Sequence, residues 1–263
     1  MPAALLFDFD EKTGIARLLF NRPEVLNAID LDMARAIRDA VSALAALTGL
    51  RCIVLAGNGR AFMAGGDVAG FSGATEDVRA CLNDLLDALI PTITGMRALN
   101  VPIVAGVRGV AAGAGLSLAL SADLVLAEEG AHFLMAYDRI GAVADCGGSW
   151  FLPLKVGTGR AAELMLLSRT LTAAEAGQWG IVNRVVADDA FDAALDDLAR
   201  TVAAGPTRSF AAHRRLVESL AGHGLAEHME SERAAFLALM GTDDFREGVS
   251  AFLGKRKADF RGR

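Results

Sequence analysis

Three short apolar runs rich in β-branched residues, at 52–56, 102–107 and 123–127, recur along the chain with helix-patterned segments between them. That order constrains the fold more than any other feature, because strands alternating with helices pair in parallel and are covered on both faces. Ahead of them, apolar runs at 5–9 and 15–20 flank Glu11-Lys12-Thr13-Gly14, the pattern of a hairpin. Leu31, Ala34, Ile37, Val41, Leu44 and Leu47 fall at helical spacing, and a longer helix is expected over about 75–97. Beyond Gly159 the pattern is helical at 161–167, 172–179, 190–203, 206–220, 225–240 and 243–253, broken by a strand-like run at 181–186. Thr172 and Glu175 stand as a capping-box pair, and Pro206 follows Gly205 where a first helical turn tolerates a missing N–H. The expectation is an α/β fold with a core over 1–200 and a helical segment over 201–263.

Composition removes several function classes. At 53% hydrophobic over 263 residues the chain has ample material for a core, so disorder is excluded as its main state. With 26 Lys plus Arg against 32 Asp plus Glu, its charge of −6 offers no field for a polyphosphate backbone, and no nucleic-acid partner is expected. The most apolar stretch, 101–120, could span a bilayer by length, but Pro102, Arg108, Ser117 and four glycines make it buried strand, loop and helix. Cys52, Cys81 and Cys146 form no C-x-x-C pair, and the four histidines are scattered, so neither a disulfide framework nor a metal site is expected. The thiols read as reduced and the location as cytoplasmic. Residues 1–10 have no basic segment ahead of their apolar residues and meet acidic ones early, unlike an export signal.

Stock motifs fail in turn. Neither Ser117 nor Ser149 completes a Gly-x-Ser-x-Gly elbow, and there is no Walker A sequence. Gly-Thr-Gly-Arg-Ala-Ala at 157–162 imitates a dinucleotide fingerprint, but a poor strand precedes it and no acidic residue follows at the required place, which leaves a helix-to-helix turn. Two glycine-rich turns remain, Ala-Phe-Met-Ala-Gly-Gly-Asp at 61–67 and Gly-Val-Ala-Ala-Gly-Ala-Gly at 109–115, each shortly after a buried strand. Small residues there let backbone N–H groups approach a ligand, and a helix N-terminus behind the second turn adds partial positive charge. Together they could bind an oxyanion; singly, turn geometry and close packing account for them.

At these loops the sequence resembles the enoyl-CoA hydratase/isomerase (crotonase) superfamily, from the first hairpin to the last residues. Asn-Arg-Pro-Glu-Val-Leu-Asn-Ala at 21–28 is similar to the family's Asn-Arg-Pro-x-x-x-Asn-Ala loop, 61–67 to its Ala-Phe-x-Ala-Gly-x-Asp signature, and 107–120 to its second glycine signature. The resemblance implies a spiral of ββα units with C-terminal helices, assembled as a homotrimer or a dimer of trimers. It also implies an acyl-CoA substrate, with coenzyme A entering as part of that substrate and no separate cofactor. One N–H from each loop, at Gly66 and Ala114, would form an oxyanion hole for the thioester carbonyl. By position, Leu26, Ala64, Asp67 and Val68 would contact coenzyme A, as would Phe252 and Lys255 in a tail similar to the family's Phe-x-x-Lys-Arg ending. Without the resemblance, Lys255, Arg256 and Lys257 read equally well as a solvated end.

The acid and base decide the reaction, and here the sequence departs from the hydratases. Those relatives use two glutamates; the matching positions hold Ser117 and Tyr137, a weak base and a phenol that titrates near about pH 10. A carboxylate stands nearby at Asp145. Alone it reads as the N-cap of a helix beginning near Gly147; with the resemblance it is the base of an isomerase. The segments 145–153 and 244–253 are similar to the ring-1,2-epoxyphenylacetyl-CoA isomerase group of phenylacetate breakdown. One base can move a proton between two carbons of an enolate, so double-bond migration fits this inventory better than hydration. Other readings stay open. Asp145 could be a nucleophile, as in the aryl-CoA dehalogenases, although that branch has tryptophan where Tyr137 stands. The chain could also bind acyl-CoA without turnover, or hydrate in the broad sense. Tyr137 is either a pocket wall reaching the acyl group or a core aromatic satisfied elsewhere. Cys146 reads as a small apolar filler, His132 as a strand-end residue, and His213, His223 and His228 as polar positions on helices.

Overall fold

The computed structural model describes residues 3–71, 75–222 and 224–263, so His223 lies outside the described residues. The chain runs β1 (Leu5–Asp10), β2 (Ile15–Phe20), α1 (Leu31–Ala46), β3 (Cys52–Gly57), α2 (Thr75–Ala98), β4 (Ile103–Val107), β5 (Val110–Ala112), α3 (Ala114–Leu120), β6 (Leu124–Glu128) and β7 (His132–Leu134). It continues through α4 (Gly148–Val156), α5 (Thr158–Leu167), β8 (Leu171–Thr172), α6 (Ala173–Trp179), β9 (Arg184–Val186), α7 (Phe191–Ala203), α8 (Thr207–Ser219), α9 (Leu225–Met240) and α10 (Asp243–Leu253).

A six-stranded sheet has the order β1-β2-β3-β4-β6-β9. The hairpin β1–β2 is antiparallel, with Leu5 opposite Phe20, and every later neighbour is parallel. Each parallel strand hands the chain to a second, smaller layer before the crossover helix. Val110–Ala112 pairs with His132–Leu134 there, β8 joins antiparallel, and isolated bridges link Met63 to Ala111 and Ile29 to Gly66. One strand in the large sheet, one short segment in the small layer and one helix make each turn of the spiral, as the resemblance implied.

The large sheet is covered on both faces. One carries the main core, in which Phe20 and Phe62 meet edge-on at 5.3 Å and Met33, Ile37, Leu89 and Leu116 are buried. The other packs Ile15, Val54, Val104 and Leu126 against Phe191, Leu195 and Val202 of α7. A Cβ at Gly106 would stand 2.4 Å from Leu195 Cδ2, so any larger residue there would have to displace that side chain. The expected capping box is formed, Thr172 Oγ1 accepting from Glu175 N–H at 3.3 Å while Glu175 Oε2 accepts from Thr172 N–H at 2.9 Å. The strand expected over 181–186 forms only at its end, because Ile181 and Val182 still bond back to the Ala176 carbonyl beyond the left-handed Gly180. No helix among the described residues is long and apolar enough to cross a membrane.

Candidate active site

The first glycine loop is fastened by the 21–28 segment. Asn27 is fully buried, with φ at +58°, and its carboxamide donates to the carbonyls of Ala61 and Phe62 at 2.8 and 3.3 Å. Leu26, also left-handed at φ +54°, accepts at its carbonyl from Ala64 N–H at 2.9 Å. The Arg22 guanidinium reaches the Ala28 carbonyl at 2.6 Å, Asp67 at 3.0 Å and Asp30 at 3.1 Å. The Asp67 carboxylate is therefore engaged within the protein. Asp30 in turn caps α1 through Met33 N–H.

The second loop is anchored by a buried carboxylate. Glu128 accepts from Gly109 N–H at 2.7 Å and from Arg108 Nε at 3.2 Å, and Arg108 also stacks over Phe191. Gly109 sits at φ +59°, where a Cβ would lie 2.0 Å from the Arg60 carbonyl oxygen, so no other residue fits. The two loops then lock together: Met63 N–H donates to Val110 O at 3.0 Å and Ala112 N–H to Met63 O at 2.9 Å. A Cβ on Gly65 would stand 3.8 Å from Ala114 N, and one on Gly115 only 2.2 Å from Met63 O. The N–H groups of Gly66 and Ala114, the positions expected from sequence, have no hydrogen-bond acceptor among the described residues. Ala64 and Gly66 are half-buried, Ala114 is buried, and Val68 at the end of the first loop is exposed.

Asp145 does not cap α4. The helix begins at Gly148 with Gly147 as its N-cap and no side-chain capping bond, because Cys146 and Gly147 both take left-handed conformations and turn the chain between Asp145 and the helix. Only the Asp145 main-chain carbonyl meets the helix, accepting from Gly148 N–H at 2.8 Å. Its carboxylate instead accepts from the Tyr137 hydroxyl at 2.5 Å. The Tyr137 Oη lies 3.2 Å from the Oγ of Ser117, a fully buried side chain whose hydroxyl also reaches the Gly113 carbonyl at 3.3 Å. Of the two readings of Tyr137, the one with its hydroxyl satisfied within the protein holds in this conformation. Burial, and then the neighbouring Asp145 charge, push its phenol well above the ordinary tyrosine range, so it stays a neutral donor. The same two causes, in the same order, push the buried Cys146 thiol up, consistent with a filler rather than a nucleophile.

Other expected positions lie outside this cluster. Phe252 is 83% exposed at the end of α10, and Lys255 is exposed just beyond it. No hydrogen bond or ion pair among the described residues ties either to the loops at 61–67 and 109–115. His132 is exposed at the start of β7. Among the described residues no group of three or more His, Cys, Asp and Glu is placed to hold a metal ion. Sequence reasoning quoted Arg22 and Asn27 within a motif without seeing that they fasten the first loop, and passed over Glu128. The signal for the first two was the motif itself; Glu128, at the end of a buried strand, had none.

Comparison with known proteins shows the family. Residues 10–263 match the family described as enoyl-CoA hydratase/isomerase. A 1,2-epoxyphenylacetyl-CoA isomerase of Escherichia coli is 34% identical over 254 residues, covering 95% of this chain and 96% of the relative. A protein named "Probable enoyl-CoA hydratase" from Rhodobacter capsulatus is 36% identical over 260 residues, covering 97% of each. An enoyl-CoA hydratase structure from Mycobacterium smegmatis superposes with a TM-score of 0.88 at 29% identity, covering 98% of both chains. The chain belongs to the enoyl-CoA hydratase/isomerase family and is an enzyme of that class with the crotonase fold.

Proposed function

We propose that this chain is an acyl-CoA isomerase that moves a double bond, or rearranges an unsaturated or epoxy acyl-CoA, through a thioester enolate, with Asp145 as the base. The observation that carries the reading is the side-chain inventory beside the second loop. Where hydratases of the family hold two glutamates there are Ser117 and Tyr137, and their hydroxyls lead by hydrogen bonds to Asp145. Hydration needs one group to activate water and another to deliver a proton; a phenol kept neutral by burial does neither well. Isomerisation needs a donor pair for the enolate oxygen and one base able to return the proton elsewhere. The N–H groups of Gly66 and Ala114 are the donors, each supplying about 3–4 kcal/mol in a dry site.

Coenzyme A lies, on this reading, along Leu26, Ala64, Asp67 and Val68, with Asp67 contributing main chain because Arg22 holds its carboxylate. Phe252 and Lys255 contact it from a tail whose exposed apolar neighbours Phe236 and Leu253 suit burial in a homotrimer or dimer of trimers. A hydratase reading keeps support from the 36% identity to the Rhodobacter protein. The test is a rate comparison in deuterated water, with products followed by mass spectrometry. Isomerisation of a 3-enoyl-CoA is expected to outrun hydration of crotonyl-CoA by a wide margin. Rapid formation of 3-hydroxybutyryl-CoA would overturn the proposal.

A further inference from the structure

We infer that Tyr137 and Ser117 are positioning residues that tie the carboxylate of Asp145 to the peptide group presenting the Ala114 N–H. The inference rests on the reading of Asp145 as base and of Ala114 as an oxyanion donor, and it goes beyond that reading by assigning work to the two residues that replaced the glutamates. Tyr137 Oη donates its one proton to Asp145 Oδ1 at 2.5 Å, so the Ser117 hydroxyl is the donor to Tyr137 Oη at 3.2 Å. The Gly113 carbonyl, 3.3 Å from Ser117 Oγ, competes for that same Ser117 proton. Ser117 N–H donates to the same carbonyl at 3.0 Å. That carbonyl belongs to the peptide unit whose nitrogen is Ala114 N. The chain of bonds therefore begins at the base, passes through the Ser117 hydroxyl, and continues from the Ser117 main-chain N–H to the peptide whose N–H would face the developing oxyanion.

Packing leaves the links little freedom. Ser117 is fully buried, and a Cβ on Gly148 would stand 2.3 Å from its Oγ, so the glycine that opens α4 makes room for this hydroxyl. Ala136, just before Tyr137, is left-handed at φ +56°, and Gly141 closes the same turn at φ +67°, which fixes where the ring leaves the backbone. The Cys146 thiol is the other titratable group against Asp145; buried and neutral, it adds no charge. Proton transfer demands that base and oxyanion donor be placed together to within a fraction of an ångström, and a misplacement of about 1 Å can cost on the order of 100-fold. Tyr137 holds Oδ1 of Asp145 and so fixes the orientation of the carboxylate that takes the substrate proton.

The experiment is a double-mutant cycle on the full-length enzyme with a 3-enoyl-CoA substrate, reading kcat, KM and melting temperature for Tyr137→Phe, Ser117→Ala, the double variant and Asp145→Asn. Tyr137→Phe keeps the ring and deletes one link, so kcat is expected to fall roughly 10- to 100-fold with KM and melting temperature little changed. Ser117→Ala should lower kcat less, and the double variant should resemble Tyr137→Phe alone, since a severed chain cannot be severed again. Strictly multiplicative losses, or wild-type kcat in both single variants while Asp145→Asn is impaired, would overturn the inference and leave the base assignment standing. Wild-type turnover in Asp145→Asn would overturn the base assignment itself and this inference with it. If Tyr137→Phe fails to fold, Ser117→Ala carries the test: an unchanged kcat sinks the inference, and a fall at constant KM supports it.

Discussion

The loops at 61–67 and 109–115 present main-chain N–H groups, and everything around them exists to hold backbone: Asn27, Arg22 and Glu128 clamp carbonyls, amides and turns, and glycines allow the two segments to touch. The cluster of Ser117, Tyr137 and Asp145 presents side chains, Ser117 from α3 and the other two from the turn between β7 and α4. The difference teaches how one scaffold can serve several reactions. A site made of peptide groups is fixed by the fold and survives side-chain change, whereas side chains are replaceable residue by residue. Two relatives of near-equal identity, one an isomerase and one named as a hydratase, are what such a division produces.

The contrast can be broken by perturbing each half in turn. The largest effect is expected on the side-chain half: Asp145→Asn should lower isomerase turnover by about 10²–10⁴ in steady-state kinetics with no change in melting temperature. A comparable loss of stability would mean that the carboxylate belongs to the scaffold. On the backbone half, Gly115→Ala should destabilise by about 1–3 kcal/mol in denaturant unfolding, because its methyl meets the Met63 carbonyl, and activity should fall with it. A stable but inactive variant would show that the two effects are separable. Thr172→Ala, remote from both halves, should cost about 1 kcal/mol by loss of the capping box and leave kcat per folded molecule untouched.

A smaller and purely spectroscopic effect concerns Tyr137, the one tyrosine in the chain, so that tyrosinate absorbance reports it alone. Its phenol is raised by burial and by the Asp145 charge. The folded protein should thus show no tyrosinate as pH climbs through the ordinary tyrosine range. The unfolded chain loses that proton first, so this contribution to stability is complete below about pH 10 and is lost as pH rises beyond it. Asp145→Asn removes the charge and should bring the titration down. Normal titration in the folded wild type would contradict the hydrogen bond on which the cluster depends.

Much of the scaffold was legible in the sequence because its signals are periodic. The hairpin, the buried strands and the amphipathic helices announce themselves through apolar spacing, and the glycine loops through composition. The second sheet did not, since β5, β7 and β8 are two or three residues long and too short for alternation to register. Taken alone, Asp145 reads as a cap for a related reason: sequence shows its distance from the helix but not the left-handed pair at Cys146 and Gly147 that turns its side chain away. The bond from Tyr137 to Asp145 links residues eight apart across a short 3-10 turn and loop, and no periodicity encodes such a contact.

The central claim is that one carboxylate takes a proton from the carbon beside a thioester, and the most direct measurement removes isomerisation altogether. A saturated acyl-CoA, which has no double bond to move, is incubated in deuterated water with the wild type and with Asp145→Asn at matched occupancy, and α-carbon deuterium is followed by mass spectrometry. The account predicts steady α-exchange by the wild type and a loss of about 10²–10⁴ in the variant. Exchange at the wild-type rate without the Asp145 carboxylate would contradict it.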